Sequence, residues 1–355
     1  MEYHENGLRI NVMQNKKFLI LLSIIVLVLI AVYFLTNKPS ATSLSPANSA
    51  PVEITNQSPV VSQDKLHKVF SDSGIEKWGF AAINTGICYL GADFSMKFFE
   101  SASGQTQTIL KPNGTFNSAK VVSTSTSCLV EYFTSDKNLL YLYKPGSKPE
   151  LLALSPTEPI LSNLDLYVVA TTESKTVLNS DGTTLFEMPD PDRTVFAISP
   201  ITKDKYFIVD SYERENYVGK LRAVDNAKEK FSADISSALG LFANDKVALS
   251  LVQNGNEVDS SLISNTGKSL GSILNVDPNT VVATPTGFYF LTQPGGIVSD
   301  RATQNGIGFV SNSGEIRNII SSKDESTEQY NFSALSFVNG SLFASSDDLV
   351  YKIAI

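Results

Sequence analysis

Apolar residues are spread along this chain in three different ways. From Phe18 to Leu35 they run unbroken except for Ser23, and no charge interrupts them. At about 1.5 Å per residue such a run makes a helix of roughly 27 Å, close to the ~30 Å hydrocarbon core of a bilayer. Residues 18–35 are therefore expected to be a transmembrane helix. From 36 to 64 large apolar side chains become scarce and Ser, Pro, Thr, Asn and Ala prevail, as in Lys38-Pro39-Ser40-Ala41-Thr42-Ser43. A segment of this kind buries too little surface to offset its ordering entropy, so 36–64 reads as a disordered linker. Beyond residue 64 the apolar positions come in short runs rich in Val, Ile, Tyr, Phe, Thr and Leu. These runs are cut by Asn, Asp, Gly, Ser or Pro, as around Lys205-Tyr206-Phe207-Ile208-Val209 and Gly287-Phe288-Tyr289-Phe290-Leu291. They are too short for helices and are bounded by turn residues, which predicts strands. No sustained helical period follows, so 65–355 is expected to be all-β.

The strands repeat. A Gly closing a polar turn recurs in Ser101-Ala102-Ser103-Gly104, Tyr143-Lys144-Pro145-Gly146, Asn179-Ser180-Asp181-Gly182, Ser264-Asn265-Thr266-Gly267 and Ser311-Asn312-Ser313-Gly314. The glycines stand 42, 36, 85 and 47 residues apart, and the interval of 85 is two periods. The missing turn is supplied by Asp225-Asn226-Ala227, where Asn takes the left-handed conformation that Gly otherwise provides. A period near 42 with four strands per unit is the signature of propeller blades. Units are predicted at 76–112, 118–154, 158–188, 194–233, 238–274 and 280–320, followed by a last unit, Ala334 to Ile355, with only three strands. The orphan segment Lys65-Leu66-His67-Lys68-Val69-Phe70 fills the vacancy and closes the ring, removing an exposed sheet edge. The predicted fold is a seven-bladed β-propeller of four-stranded antiparallel blades, preceded by a single transmembrane helix and a disordered linker.

In these features 65–355 resembles the broad superfamily of bacterial exported β-propellers related to PQQ-like and WD40-like repeats. The resemblance is architectural. The Trp-Asp pair that ends WD40 strands is missing, Trp78 being the only tryptophan. Asp181-Gly182-Thr183 has the wrong offsets for a sialidase-type box, and no Trp follows it. The resemblance therefore implies a fold and carries no active-site residues onto this chain.

Charge and cysteine content then set orientation and compartment. Arg9, Lys16 and Lys17 precede the span and only Lys38 follows closely, which keeps 1–17 as a cytoplasmic arm and sends 38–355 outside. The alternative, a cleaved secretory signal, has a shorter apolar core ending in small residues, whereas this run ends Val32-Tyr33-Phe34-Leu35. A signal anchor is the preferred reading, and both readings export the domain. The whole chain has a formal net charge of −8, and the exported part is about −9. An acidic surface without a Lys/Arg stripe excludes nucleic acid as a partner. The two cysteines, Cys88 and Cys128, both follow the span, in a compartment where a disulfide persists. Two buried thiols are the preferred reading; a single bridge stays open because the two occupy comparable points in neighbouring repeats.

Catalytic groups are few. His4 lies in the cytoplasmic arm and His67 in the closing strand, so a triad or a His/Cys zinc site lacks its imidazoles. Gly267-Lys268-Ser269 mimics the end of a phosphate loop, but Leu262 stands where the first Gly belongs, and it reads as a hairpin turn. Neither Asp190-Pro191-Asp192, Asp324-Glu325 nor Asp347-Asp348 has the spacing of a calcium loop, so no metal or cofactor is expected. The long loops carry the binding signal, because loops joining strands two and three, and those joining blades, crowd one end of the channel. On them lie Asp192, Arg193, Tyr212, Arg214, Asp300 and Arg301, the expected recognition residues for a protein or polysaccharide of the cell envelope. The expected function is thus a membrane-anchored extracytoplasmic binding or scaffold module. The alternatives are a carboxylate-based glycan hydrolase or lyase and a structural subunit of an envelope complex.

Overall fold

A computed structural model describes residues 65–76, 79–135, 137–189, 194–213, 218–236, 238–254, 257–274, 276–292, 306–321 and 331–355. The expected cytoplasmic arm, transmembrane helix and linker, 1–64, lie outside these residues, as do Asp192, Arg193, Arg214, Asp300 and Arg301. Among the described residues no helix is long and apolar enough to cross a membrane.

The described strands form seven antiparallel sheets of four strands each. Six run consecutively from the innermost strand to the outermost: blade 1 over 80–110, blade 2 over 118–151, blade 3 over 161–189, blade 4 over 194–236, blade 5 over 238–274 and blade 6 over 282–321. Blade 7 takes Phe332–Val338, Ser341–Ser346 and Leu349–Ile353 from the C-terminal end of the chain and its outermost strand, Leu66–Ser71, from the N-terminal end. Leu66 pairs with Ile353 and Ser71 with Leu349, and Asp72 N donates to Asp348 O beyond the ladder. The chain is a seven-bladed β-propeller.

Why the strands read as nearly continuous apolar runs follows from where they sit. The core comprises seven clusters, each spanning the boundary between two adjacent blades. A strand between two boundaries is buried on both faces, so neighbouring side chains leave in opposite directions into different clusters. In Cys128–Phe133, Leu129 packs toward blade 3 and Val130 toward blade 1. The outermost strands lose this constraint, and Gln105–Leu110 of blade 1 is polar and exposed over most of its length.

The repeated turns join the third strand to the fourth. Gly104, Gly146, Gly182, Gly267 and Gly314 have φ between 67° and 89°. In the blade without a glycine, Asn226 and Ala227 take φ 52° and 58°. Gly267-Lys268-Ser269 is such a hairpin turn, and a strand follows it, Ser269–Leu274. Blade 7 has no turn of this kind because its outer strand comes from the opposite end of the chain.

One sequence expectation changes. Cys88 and Cys128 are not free thiols: they form a disulfide between the second strands of blades 1 and 2, with Cα atoms 6.6 Å apart. Both are fully buried, and the sulfurs meet because the second strands of adjacent blades face each other across a shared cluster. The closing strand, whose place in blade 7 is as expected, carries an irregularity. A register shift between Lys68 and Phe70 turns the Phe70 ring into the boundary with blade 1. There it stacks on Phe99 at 4.5 Å and leans on Tyr89 at 5.1 Å.

Candidate functional site

The innermost strands wall a central cavity of about 270 Å³. Phe80, Val122, Leu161, Phe242, Val281 and Leu335, from six different blades, form its apolar surface, and Ser123, Thr124, Ser162 and Ser336 add hydroxyls. At one end hydrogen bonds link the first turns of neighbouring blades. Asn84 N donates to Ser125 O (2.8 Å), Ser125 N to Asp165 Oδ1 (2.8 Å) and Asn244 Nδ2 to Thr284 O (2.8 Å). Asn163 Nδ2 donates to Pro200 O (2.7 Å) and to Ala243 O (2.9 Å), tying blade 3 to blades 4 and 5.

The opposite end holds the charges. Lys120 lies in the innermost strand of blade 2, Ser118–Ser123, between Ala119 and Val121, and is 9% exposed. Its cross-strand neighbour is Glu131, fully buried in Cys128–Phe133. Glu131 Oε2 accepts from Ile160 N (3.0 Å) on the approach to blade 3, and Oε1 from Asn138 Nδ2 (3.1 Å) in the connection between strands two and three. Asp277, 2% exposed, enters from the connection between blades 5 and 6, where Asn279 N donates to its Oδ1 (3.0 Å). Burial pulls the Lys120 ammonium down to about 8, against the opposing charges of Glu131 and Asp277. Burial also pushes the Glu131 carboxyl up to about 7, with the Ile160 amide, Lys120 and Asn138 holding it back. Blade 4 holds a second buried pair, Arg222 Nε to Asp210 Oδ1 at 3.1 Å, with Arg222 also bonded to Glu229.

The strand ends that flank the long loops are at this same charged end. The segment with Asp192 and Arg193 links Pro189 to Thr194, and that with Arg214 links Glu213 to Val218. The segment with Asp300 and Arg301 leaves from Thr292, which bridges to Val276 beside Asp277. Tyr212 is in the second strand of blade 4, Lys205–Glu213, one residue from that end. Asp347 and Asp348 form a turn at this end, and Asp348 Oδ1 is taken by Gly74 N at 2.6 Å. Lys120, Glu131 and Asp277 were missed from sequence. The available signal was a charge inside an otherwise apolar strand, as in Ala119-Lys120-Val121-Val122 and Leu129-Val130-Glu131-Tyr132.

No protein-family model matches the sequence, and no curated protein does. Solved structures match its shape. The β-propeller domain of Cps50 (Swd1) from Myceliophteria thermophila gives a TM-score of 0.52 at 8% identity, over 82% of this chain and 99% of that one. U3-55K gives 0.52 at 10% identity, over 83% of this chain and 99% of that one. PorZ from Porphyromonas gingivalis gives 0.51 at 8% identity over 81% of this chain, which spans 37% of PorZ. Likeness at such identities establishes the propeller architecture and nothing finer.

Proposed function

We propose that this protein is a membrane-tethered extracytoplasmic propeller that binds a protein or polysaccharide of the cell envelope and performs no chemistry of its own. The observation that carries this reading is the way the ring closes. Leu66–Ser71 is the outermost strand of blade 7, so the chain joins the disc at its rim. Entry at the rim keeps Leu66–Ser71 clear of the innermost strands that wall the channel. The buried disulfide Cys88–Cys128 supports export, since oxidised pairs persist outside the cytoplasm. The end of the second strand of blade 4 and the loops that leave strand ends on the charged side carry the recognition groups of this reading, Tyr212, Arg214 and Arg301 above all.

Site-specific photo-crosslinking in intact cells tests the reading. Crosslinkers placed at Tyr212, Arg214 and Arg301 should capture an envelope partner, while those at Asn84, Asp245 and Thr286 on the opposite end should not. Truncating an anchor in a buried contact costs about 2 kcal/mol or more, roughly thirtyfold in affinity. Arg214→Ala with Arg301→Ala should therefore reduce the adduct strongly while leaving the melting temperature unchanged. Equal capture from both ends, or none from the first set, would refute this assignment.

A further inference from the structure

Five Asn-Gly pairs occur in the chain, and two of them, Asn113-Gly114 and Asn339-Gly340, lie wholly within the described residues. The dipeptide is chemically labile, because a glycine amide with no Cβ beside it can reach the carboxamide carbon of the preceding asparagine. The fold treats the two pairs differently. Asn339 and Gly340 are the central residues of the two-residue hairpin between the first and second strands of blade 7, where Val338 pairs with Ser341. Their φ values of 49° and 71° are those of a type I′ turn, and bringing the Gly340 nitrogen onto the Asn339 side chain would break that turn. Asp181-Gly182, which reacts through the same kind of imide, is held as well. Gly182 N donates to Asn179 O (3.0 Å), and Asp181 Oδ1 accepts from Thr183 N (2.9 Å). No such restraint acts on Asn113-Gly114. Both residues are exposed in the connection from blade 1 to blade 2, outside any strand, and among the described residues neither makes a hydrogen bond. A Cβ placed on Gly114 would meet nothing nearer than the Phe116 ring at 3.7 Å, so the main chain has room to turn.

We propose that Asn113 is a site of spontaneous covalent modification, at which the neutral carboxamide becomes a carboxylate on the folded protein. The Gly114 nitrogen bonds to Asn113 Cγ, the bond from Cγ to Nδ2 breaks, and ammonia leaves with the proton given up by the Gly114 amide. Water then adds to one carbonyl or the other of the five-membered imide and opens it, leaving an aspartyl or an isoaspartyl residue. No enzyme, oxidant or cofactor takes part. This stands independently of the envelope-partner reading. The connection can absorb the change because it is fixed on both sides. Leu110 pairs with Met96 in the outer strand of blade 1. Phe116 packs on the Tyr132 ring at 5.0 Å, and Asn117 N donates to Phe133 O (2.9 Å). The extra main-chain atom of the isoaspartyl form is thus confined to 111–115. The new negative charge falls two residues from Lys111, which already acts through space on Asp93.

The test ages the full-length chain in lipid nanodiscs in mildly alkaline buffer at 37 °C, with a freshly purified sample as the blank. Digestion and mass spectrometry then follow the gain of one mass unit at each Asn-Gly pair. Asn113 should convert with the isoaspartyl form in excess, and at least about tenfold faster than Asn339, whose reaction waits on opening of its hairpin. In urea the two should convert at similar rates, since the turn that protects Asn339 is gone. A protein isoaspartate methyltransferase with labelled S-adenosylmethionine gives a second readout. The label should appear on the peptide that contains Asn113 and be absent from the same peptide of Asn113→Gln. Conversion of Asn339 as fast as Asn113 in the folded protein would overturn the proposal, and so would an Asn113 that stays unmodified there while the urea-treated chain reacts.

Discussion

Glu131 shows how one residue can tie the stability of the fold to pH. Its carboxyl is raised by burial to about 7 from 4.5. A carboxyl raised in the folded state holds its proton there after the unfolded chain has released it. Its contribution is therefore complete below about pH 4.5 and is lost as pH rises to about 7. Lys120, lowered to about 8 from 10.5, acts in the opposite sense above that point, since the folded state releases its proton first and regains stability as pH climbs toward 10.5. Glu131→Gln cannot ionise, so urea midpoints measured from pH 4.5 to 7.5 should fall in the native protein relative to the variant, by on the order of 1–3 kcal/mol over the window. Parallel midpoint curves would show that Glu131 is ionised throughout. The variant should also be less stable at low pH, because one side-chain amide cannot accept from both Ile160 N and Asn138 Nδ2.

At the scale of elements, blades 7, 1 and 2 are joined by two different devices. Between blades 7 and 1 the device is the closing strand, whose Phe70 packs against Phe99 and Tyr89. Phe70→Ala should cost about 3 kcal/mol through the cavity it leaves. Removing 65–71 entirely should lower the melting temperature of the whole propeller far more than removing 40–60, because it strips the edge of blade 7 as well as the boundary contact. Equal effects of the two deletions, measured by circular dichroism, would contradict the closure. Between blades 1 and 2 the device is covalent. The cysteines are separated by 40 residues, a loop for which cross-linking restricts the unfolded chain by about 2–4 kcal/mol. The double variant Cys88→Ala with Cys128→Ala should lose about that much, and reductant should not further destabilise it. These two boundaries differ from the rest in what the sequence revealed. The closing strand was legible because a three-stranded remainder and an orphan strand are visible along the chain. The bridge was not, because two cysteines in adjacent repeats look alike whether or not their side chains face each other.

For the whole molecule, orientation is the property on which the proposed function depends. Protease added to intact spheroplasts should degrade 38–355 and leave the N-terminal arm protected; full protection of the propeller would reverse the topology. The sequence by itself determined the repeat. A period near 42, left-handed turns at regular intervals and apolar runs on strands buried on both faces are local features, each set by the residues that compose it. Counting those features was enough to obtain seven blades, their limits within a few residues and the closure of the ring. Only the tertiary structure decided the interior. Lys120 from blade 2, Glu131 beside it and Asp277 from the approach to blade 6 meet at one end of the channel, and no spacing along the chain records that encounter. The physical reason is the ring. Its periodicity is written into every blade, but the residues brought together across its axis belong to distant blades, and they meet only when the last strand has closed the circle.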